Sequence, residues 1–412
     1  MAIAYRPDLL RRAAFLATWL LVFSTPWEGA LNWDDIGGVP RVLGILAMIL
    51  GCFAVVSRGH VRKLTFVHYV CLTFVVFVTI GMFWSPDSET TFRAIRTYVQ
   101  VTFVLWLAWE FARDHHSQIQ LIRAYLLGCY VTIAGVYQSF QSGAAYENAL
   151  GMVAKDRFSL PGSDPNDMAL TIAIGLCLAL YLVHTEGRLM WRLIAGGFVL
   201  VAPAAVIFTG SRGGVVASII ACCGVLPLFS KGRSGTKPAF AVLIITLVIL
   251  SSLLIPGETL ERISTIGTEL NSGDLNGRTI LWRGGLRAFV DEPILGSGAG
   301  TFHFVVPAGG SKVAHNTFLS VLVEEGLIGF IIFSAILTAI GVMLFRLPTV
   351  QRFYCVLTCC VWATGVSTLT WEQRRVTWLL FAFLIGLATP ERQPEERIAE
   401  PMLLHALCGE NS

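Results

Sequence analysis

The chain has 412 residues, 55% of them apolar and only 14% charged, and a mean hydropathy of +0.67. That is about half the charge of a soluble domain and excludes a soluble globule, while apolar runs without period-two alternation exclude a transmembrane β-barrel. A net charge of +3, with no basic cluster interleaved with aromatics, excludes nucleic acid as a partner and leaves membrane lipids.

At about 20 apolar residues per crossing, the chain divides into about twelve predicted transmembrane helices. They lie near 13–31, 39–57, 64–84, 92–111, 119–140, 167–184, 189–208, 212–230, 237–256, 326–345, 352–370 and 375–389. Alternate short loops carry the basic residues: Arg58, Arg62 and Lys63, then Arg113, Arg188 and Arg192, Lys231, Arg233 and Lys237, and Arg346 and Arg352. The positive-inside rule puts these loops and both termini in the cytoplasm, with Arg6, Arg11 and Arg12 before an uncleaved signal anchor. Two outward loops are long, 141–166 and 257–325. The second is expected to form a helical lobe, with apolar periodicity over Glu258–Leu270 and Thr279–Val290. It ends at Pro293 and a glycine-rich run, Gly296–Gly300, expected to be flexible. The organisation read from sequence is therefore all-α. An N-terminal bundle of about nine helices (1–256) is followed by the lobe (257–325), C-terminal crossings (326–389) and a polar tail (390–412). All ten cysteines fall in crossings or the tail, so the lobe carries no disulfide framework, and no spacing marks a zinc or haem site.

The anomaly is the arginine on the outward side: Arg93, Arg96, Arg157, Arg212, Arg262, Arg278, Arg283, Arg287, Arg374 and Arg375. Spacing pairs Arg287 with Asp291 and puts Glu372 near Arg375. The remainder form a cationic basin suited to a lipid-anchored phosphate or pyrophosphate. Arg212, in Thr209-Gly210-Ser211-Arg212-Gly213-Gly214, opens a crossing with almost no loop to spare, where glycines and a helix N-terminus favour an anion. Arg278 opens the second lobe helix and shares a face with Trp282 and Gly285, while Arg283 lies roughly 140° away around the helix. His315, followed by Asn316, is read as the start of a short helix over the outer membrane face, the next crossing beginning at Gly326 so that Glu324 and Glu325 stay outside it.

Three segments, 209–214 (TGSRGG), 277–302 (GRTILWRGGLRAFVDEPILGSGAGTF) and 315–329 (HNTFLSVLVEEGLIG), resemble in that order the signature of the O-antigen ligase and polymerase superfamily. The segment 157–169 (RFSLPGSDPNDMA) is similar to one these proteins carry before a crossing in their first half; no family pattern is seen over 153–158 or in the tail. The resemblance implies a GT-C-like membrane glycosyltransferase with no cofactor and no metal. Its donor would be undecaprenyl pyrophosphate-linked O-antigen, its acceptor lipid A-core oligosaccharide, and its site would face the periplasm from the bacterial inner membrane. The family's two arginines and histidine fall on Arg212, Arg278 and His315, taken as catalytic. Arg283, Arg157, Arg93, Arg96, Ser211, Trp282 and Asn316 are weaker candidates for binding pyrophosphate or acceptor. The motifs leave open a ligase, a polymerase that uses another glycan chain as acceptor, and a lipid-linked glycan transporter.

Overall fold

A computed structural model describes residues 7–33, 37–147, 153–154, 157–227, 257, 264, 277–306 and 313–390. The predicted crossing 237–256, the lobe helix 258–270 apart from Ser264 and including Arg262, and the tail beyond Pro390 lie outside the described residues. Within them the chain is a helical polytopic membrane protein. The helices are α1 (Pro7–Ser24), α2 (Val39–Arg58), α3 (Phe66–Ile80), α4 (Ser88–Phe111), α5 (His115–Ser142), α6 (Pro165–Thr185), α7 (Leu189–Phe208), α8 (Arg212–Cys222), α9 (Arg278–Asp291), α10 (Phe302–Val305), α11 (Thr317–Leu344), α12 (Thr349–Val366) and α13 (Arg375–Ala388). Two small antiparallel hairpins join helices: β1 (Asn32–Trp33) with β2 (Gly37–Gly38), and β3 (Tyr146–Glu147) with β4 (Val153–Ala154). Among the described residues, six helical stretches are long and apolar enough to cross a membrane, and α8 with its extension to Val225 and α13 are shorter apolar helices.

Burial follows from a solvent that is itself apolar. Helix α2 turns Val42, Ile45, Leu46, Ile49, Phe53 and Val56 outward and its small residues Ala47, Gly51 and Ala54 inward, because close backbone approach, not hydrophobicity, holds helices together in lipid. A Cβ on Gly51 would lie 2.8 Å from Leu107 on α4. Helix α6 is buried on nearly every side and is the central post of the bundle. Helices α4, α5, α6, α8 and α11 start at Asp87, Asp114, Asp164, Ser211 and Asn316, each accepting a hydrogen bond from a first-turn N–H, which satisfies donors that lipid cannot.

Helix α11 departs from the sequence expectation. The break falls at Gly326 (φ 62°, ψ −168°), as the sequence reading placed it, and separates a short helix over residues 317–325 from the crossing that follows; what differs is that this short helix is packed into the protein, with Glu324 and Glu325 buried. The opened backbone is paired by the 293–298 segment. Ser297 N–H donates to the Val323 carbonyl (3.0 Å) and Gly298 N–H to that of Glu324 (2.7 Å), while Leu327 N–H donates to the Pro293 carbonyl (2.9 Å). The Glu324 carboxylate accepts from Gly300 N–H (2.7 Å) and Phe302 N–H (3.1 Å). The glycine run is thus a packed strap, with Ser297 and Ala299 buried, and not a flexible linker.

The opposite end of the bundle is held by a buried carboxylate. Glu110, at the end of α4, pairs with Arg113 and lies 3.8 Å from Arg58, and it accepts Arg62 N–H at 2.7 Å. Arg62 also stacks over Trp109 at 3.5 Å and donates to the carbonyls of Trp109 and Thr389, both at 2.8 Å. Arg123 is similarly paired with Glu186.

Candidate functional site

The turn between α7 and α8 places Arg212. Gly210 adopts φ 61°, a conformation that suits glycine, and Ser211 caps α8 by accepting Gly214 N–H at 3.2 Å. A Cβ on Gly214 would lie 2.3 Å from Ala169, so that glycine lets α8 lie against α6. Arg212 is the first residue of α8 and half-buried, at the end of the helix where the backbone dipole is positive.

Arg157 lies beside this turn. Buried to 9% exposure, it donates from Nε to the Thr209 carbonyl (3.2 Å) and from Nη2 to Asn166 Oδ1 (2.9 Å), and Phe158 N–H donates to the Phe208 carbonyl (3.0 Å). The 157–169 segment and the TGSRGG turn, separate in sequence, are therefore one unit.

A third segment joins them. A Cβ on Gly213 would stand 3.0 Å from Thr368 Oγ1. From Thr368 the loop after α12 runs to Trp371, whose indole N–H donates to Asp167 Oδ1 (2.7 Å). The same loop grips the start of α11, where Thr317 Oγ1 donates to the Leu369 carbonyl (2.9 Å) and accepts Trp371 N–H (2.8 Å). His315 and Asn316 immediately precede Thr317. Asn316 caps α11 by accepting Leu319 N–H at 3.0 Å. His315 has φ 48°, the one non-glycine residue with positive φ among those described. For a residue with a Cβ this conformation costs about 1 kcal/mol and is fixed here by the cap on one side and Trp282 on the other.

Trp282 donates from its indole N–H to the Ala314 carbonyl (3.1 Å), tying α9 to the residue before His315. Gly285, one turn on, packs under Phe302 and Leu319. Arg278 is half-buried at the start of α9, and Arg283 is exposed. Contacts thus gather Arg157, Ser211, Arg212, Trp282, His315 and Asn316 at one end of the bundle, with Arg278 on the helix that Trp282 anchors. Arg93 and Arg96 are not joined to this group by any of these contacts. Arg93 is exposed and paired with Glu89, and exposed Arg96 lines a largely apolar groove between α2 and α4 with Arg41 and Arg375.

Other sequence pairings are corrected. Arg375 donates to Glu28 (2.6 Å), not to Glu372, and Arg374 meets Asp167 (2.6 Å) and Glu28 (3.6 Å). Arg287 and Asp291, both exposed, are not joined by an ion pair among the described residues. Both loop arginines, Arg374 and Arg375, are held by carboxylates, Glu28 and Asp167, that the hydropathy reading placed at the ends of crossings. His303 stands near Asp87, whose carboxyl is held below its ordinary range, chiefly by hydrogen bonds from Thr90 with His303 adding to them.

Beneath the gathered segments lies a feature that the sequence did not reveal, a buried acidic layer. Glu324, Glu325 and Glu372 act on one another's charge, and Tyr98 is buried beside them. Among the described residues, no group of three or more His, Cys, Asp or Glu is arranged to hold a metal ion. Glu372 accepts Ser320 Oγ–H (2.9 Å), while its second oxygen is buried without a partner. Burial raises its pKa to about 7, against hydrogen bonds and Arg374, which lower it. The folded state therefore holds this proton more tightly than the unfolded chain, and stability falls as pH rises from 4.5 to about 7. Glu372→Gln removes that loss. Its melting temperature in detergent is expected to exceed wild type at pH 8, by an amount worth at most about 1 to 3 kcal/mol, and to converge with it near pH 4. A pH-independent difference would contradict this assignment.

Residues 196–334 match the family model described as O-antigen ligase. The match takes in Arg212, Arg278, Trp282, Arg283, His315 and Asn316 and stops short of Arg157 and the 368–375 loop. It bears out, over about a third of the chain, the resemblance to the O-antigen ligase and polymerase superfamily carried by the three motifs. No curated protein matches the chain.

Proposed function

Starting from that match over residues 196–334, we propose that the chain is an O-antigen ligase. It moves O-antigen polysaccharide from undecaprenyl pyrophosphate to lipid A-core oligosaccharide at the periplasmic face of the inner membrane. The observation that supports the reading is the contact route from the Arg212 turn through Thr368–Trp371 to Thr317, which brings Arg212 and His315 to one end of the bundle. The same proposal takes both termini as cytoplasmic, keeps the division into bundle, lobe, C-terminal crossings and tail, and assigns Arg212, Arg278 and His315 as catalytic.

The chemistry requires a hydroxyl oxygen of the acceptor to attack the anomeric carbon as its bond to the pyrophosphate oxygen breaks. His315 accepts the hydroxyl proton, and the electron pair leaves with undecaprenyl pyrophosphate. Arg212 and Arg278 stabilise the charge that develops on the leaving oxygen, where fixed guanidiniums in a partly dry site are most effective. Attack from the far side inverts the anomeric centre. This distribution of charge gives a divalent ion no necessary part.

Transfer by the purified protein from lipid-linked O-antigen to lipid A-core, in excess EDTA, tests the reading. Product on lipid A-core supports ligation, whereas elongation of the lipid-linked chain alone identifies a polymerase, and movement of donor across the bilayer without either identifies a transporter. Within that assay, His315→Ala is expected to lose at least about 10² in rate while donor binding is kept. Loss of donor binding in parallel with rate would make His315 a phosphate ligand instead.

A further inference from the structure

The described parts of the long loop 141–166, which the proposed transfer chemistry leaves without a role, line with α5 a half-open cavity of about 620 Å³. Gln138 and Ser139 on α5 form one side, Tyr146 and Glu147 of β3 a second, and Ser163 and Asp164 before α6 a third. The polar part of the described lining is hydroxyl, amide and carboxylate. Leu160, Pro161 and the Tyr146 ring add apolar surface to the lining. A ligand with many hydroxyls on rings that have apolar faces satisfies both kinds of surface, since each carboxylate accepts several O–H donors. The volume lies within the range of about 300 to 1,000 Å³ typical of small-ligand sites.

Its position connects it with the arginine turn. The cavity shares Gly162, Ser163 and Asp164 with a second pocket of about 280 Å³ that reaches Trp371 and Arg374. Tyr146 N–H donates to the Arg157 carbonyl (2.7 Å), the Arg157 guanidinium lies 5.7 Å from the Tyr146 ring, and Arg157 bonds the Thr209 carbonyl. One arginine therefore links Tyr146 in the lining of this cavity to the turn that carries Arg212.

We propose that the cavity is an oligosaccharide subsite that holds a short run of uncharged or amino sugars from one of the two glycans joined in the reaction. The identity of that glycan rests on the transfer reading above. Glu147 and Asp164 set the selectivity: they accept sugar hydroxyls and repel uronate and phosphorylated sugars.

The test uses the full-length protein in detergent and two probes titrated by calorimetry: O-antigen fragment cleaved from its lipid carrier, and core oligosaccharide freed of lipid A. Gln138 and Ser142 are exposed on α5, so Gln138→Trp fills the cavity from a tolerant position, and Ser142→Trp serves if the first fails to fold. One probe is expected to bind wild type and to lose roughly tenfold or more in affinity in the tryptophan variant and in Glu147→Gln. The KM of the corresponding substrate should rise in step while kcat stays within about twofold. The probe that responds identifies the source, donor or acceptor. Failure of both probes to bind wild type, or equal binding by wild type and the filled variant, overturns the subsite. Unchanged transfer kinetics in the filled variant would refute the subsite and leave the transferase reading intact. Probe binding abolished by filling, in a wild-type protein with no transfer activity, would refute the transferase and leave the subsite.

Discussion

Arg212→Ala is expected to reduce transfer by about 10² to 10³, the usual cost of removing one fixed donor from a developing oxyanion. The reason is geometric as well as electrostatic. Arg212 opens α8 on a turn built from Gly210, Ser211 and Gly214, each with a local task, so its guanidinium is delivered from a rigid support. Arg212→Lys should lose most of the activity too, because an ammonium cannot reproduce two coplanar hydrogen bonds to a phosphate. Initial rates at matched protein level, with melting curves to verify the fold, provide the check. Near-normal rates in both variants would remove Arg212 from the site.

The second large effect concerns the fold. A Cβ at Gly296 would lie 2.4 Å from the Gly326 nitrogen and 2.5 Å from the Glu324 carbonyl oxygen, distances that no small shift relieves. Gly296→Ala is therefore expected to displace the strap from the break in α11 and to strand the carbonyls of Val323 and Glu324 and the N–H of Leu327 away from water. Each unpaired buried group costs about 1 to 3 kcal/mol, so the variant should show a melting temperature lowered by many degrees or fail to accumulate. Ala299→Gly, at a buried position between the bonded N–H groups of Gly298 and Gly300, should accumulate and melt only slightly below wild type. Equal stability of Gly296→Ala and wild type would mean that the strap does not support the break.

Helices were legible because lipid-facing and bundle-facing apolar runs share one signature, length. Most predicted crossings therefore agree with a described helix to within a few residues, and α7 begins and ends at the predicted positions. The Gly326 break was legible for another reason, since two carboxylates followed by glycine are costly inside a span. Where the carboxylates went was not legible: their partners, Gly300 and Phe302, lie on a segment that composition marks as loose. For the candidate site, the motif residues stood out as arginines where hydropathy alone would put none. The 368–375 loop did not, because its role lies in backbone and indole bonds to Thr317 and Asp167 that leave no periodic trace. Arg374 and Arg375 illustrate the limit, since a charge count cannot tell a free guanidinium from one held by Glu28.

The Glu110 cluster gives the same lesson at the opposite end of the bundle, where it separates two moments in the life of the chain. During insertion, Lys and Arg in short loops bias orientation while the chain is still unfolded, and Arg58, Arg62 and Arg113 all count. Once Glu110 has gathered them, Arg62 is 5% and Arg113 9% exposed. Among the described residues of the basic loops, Lys63, Arg188, Arg192 and Arg346 stay exposed, so under the proposed orientation these are the ones left to meet anionic headgroups. The basic residues that would orient the nascent protein and those that would greet its lipid neighbours are thus overlapping but unequal sets.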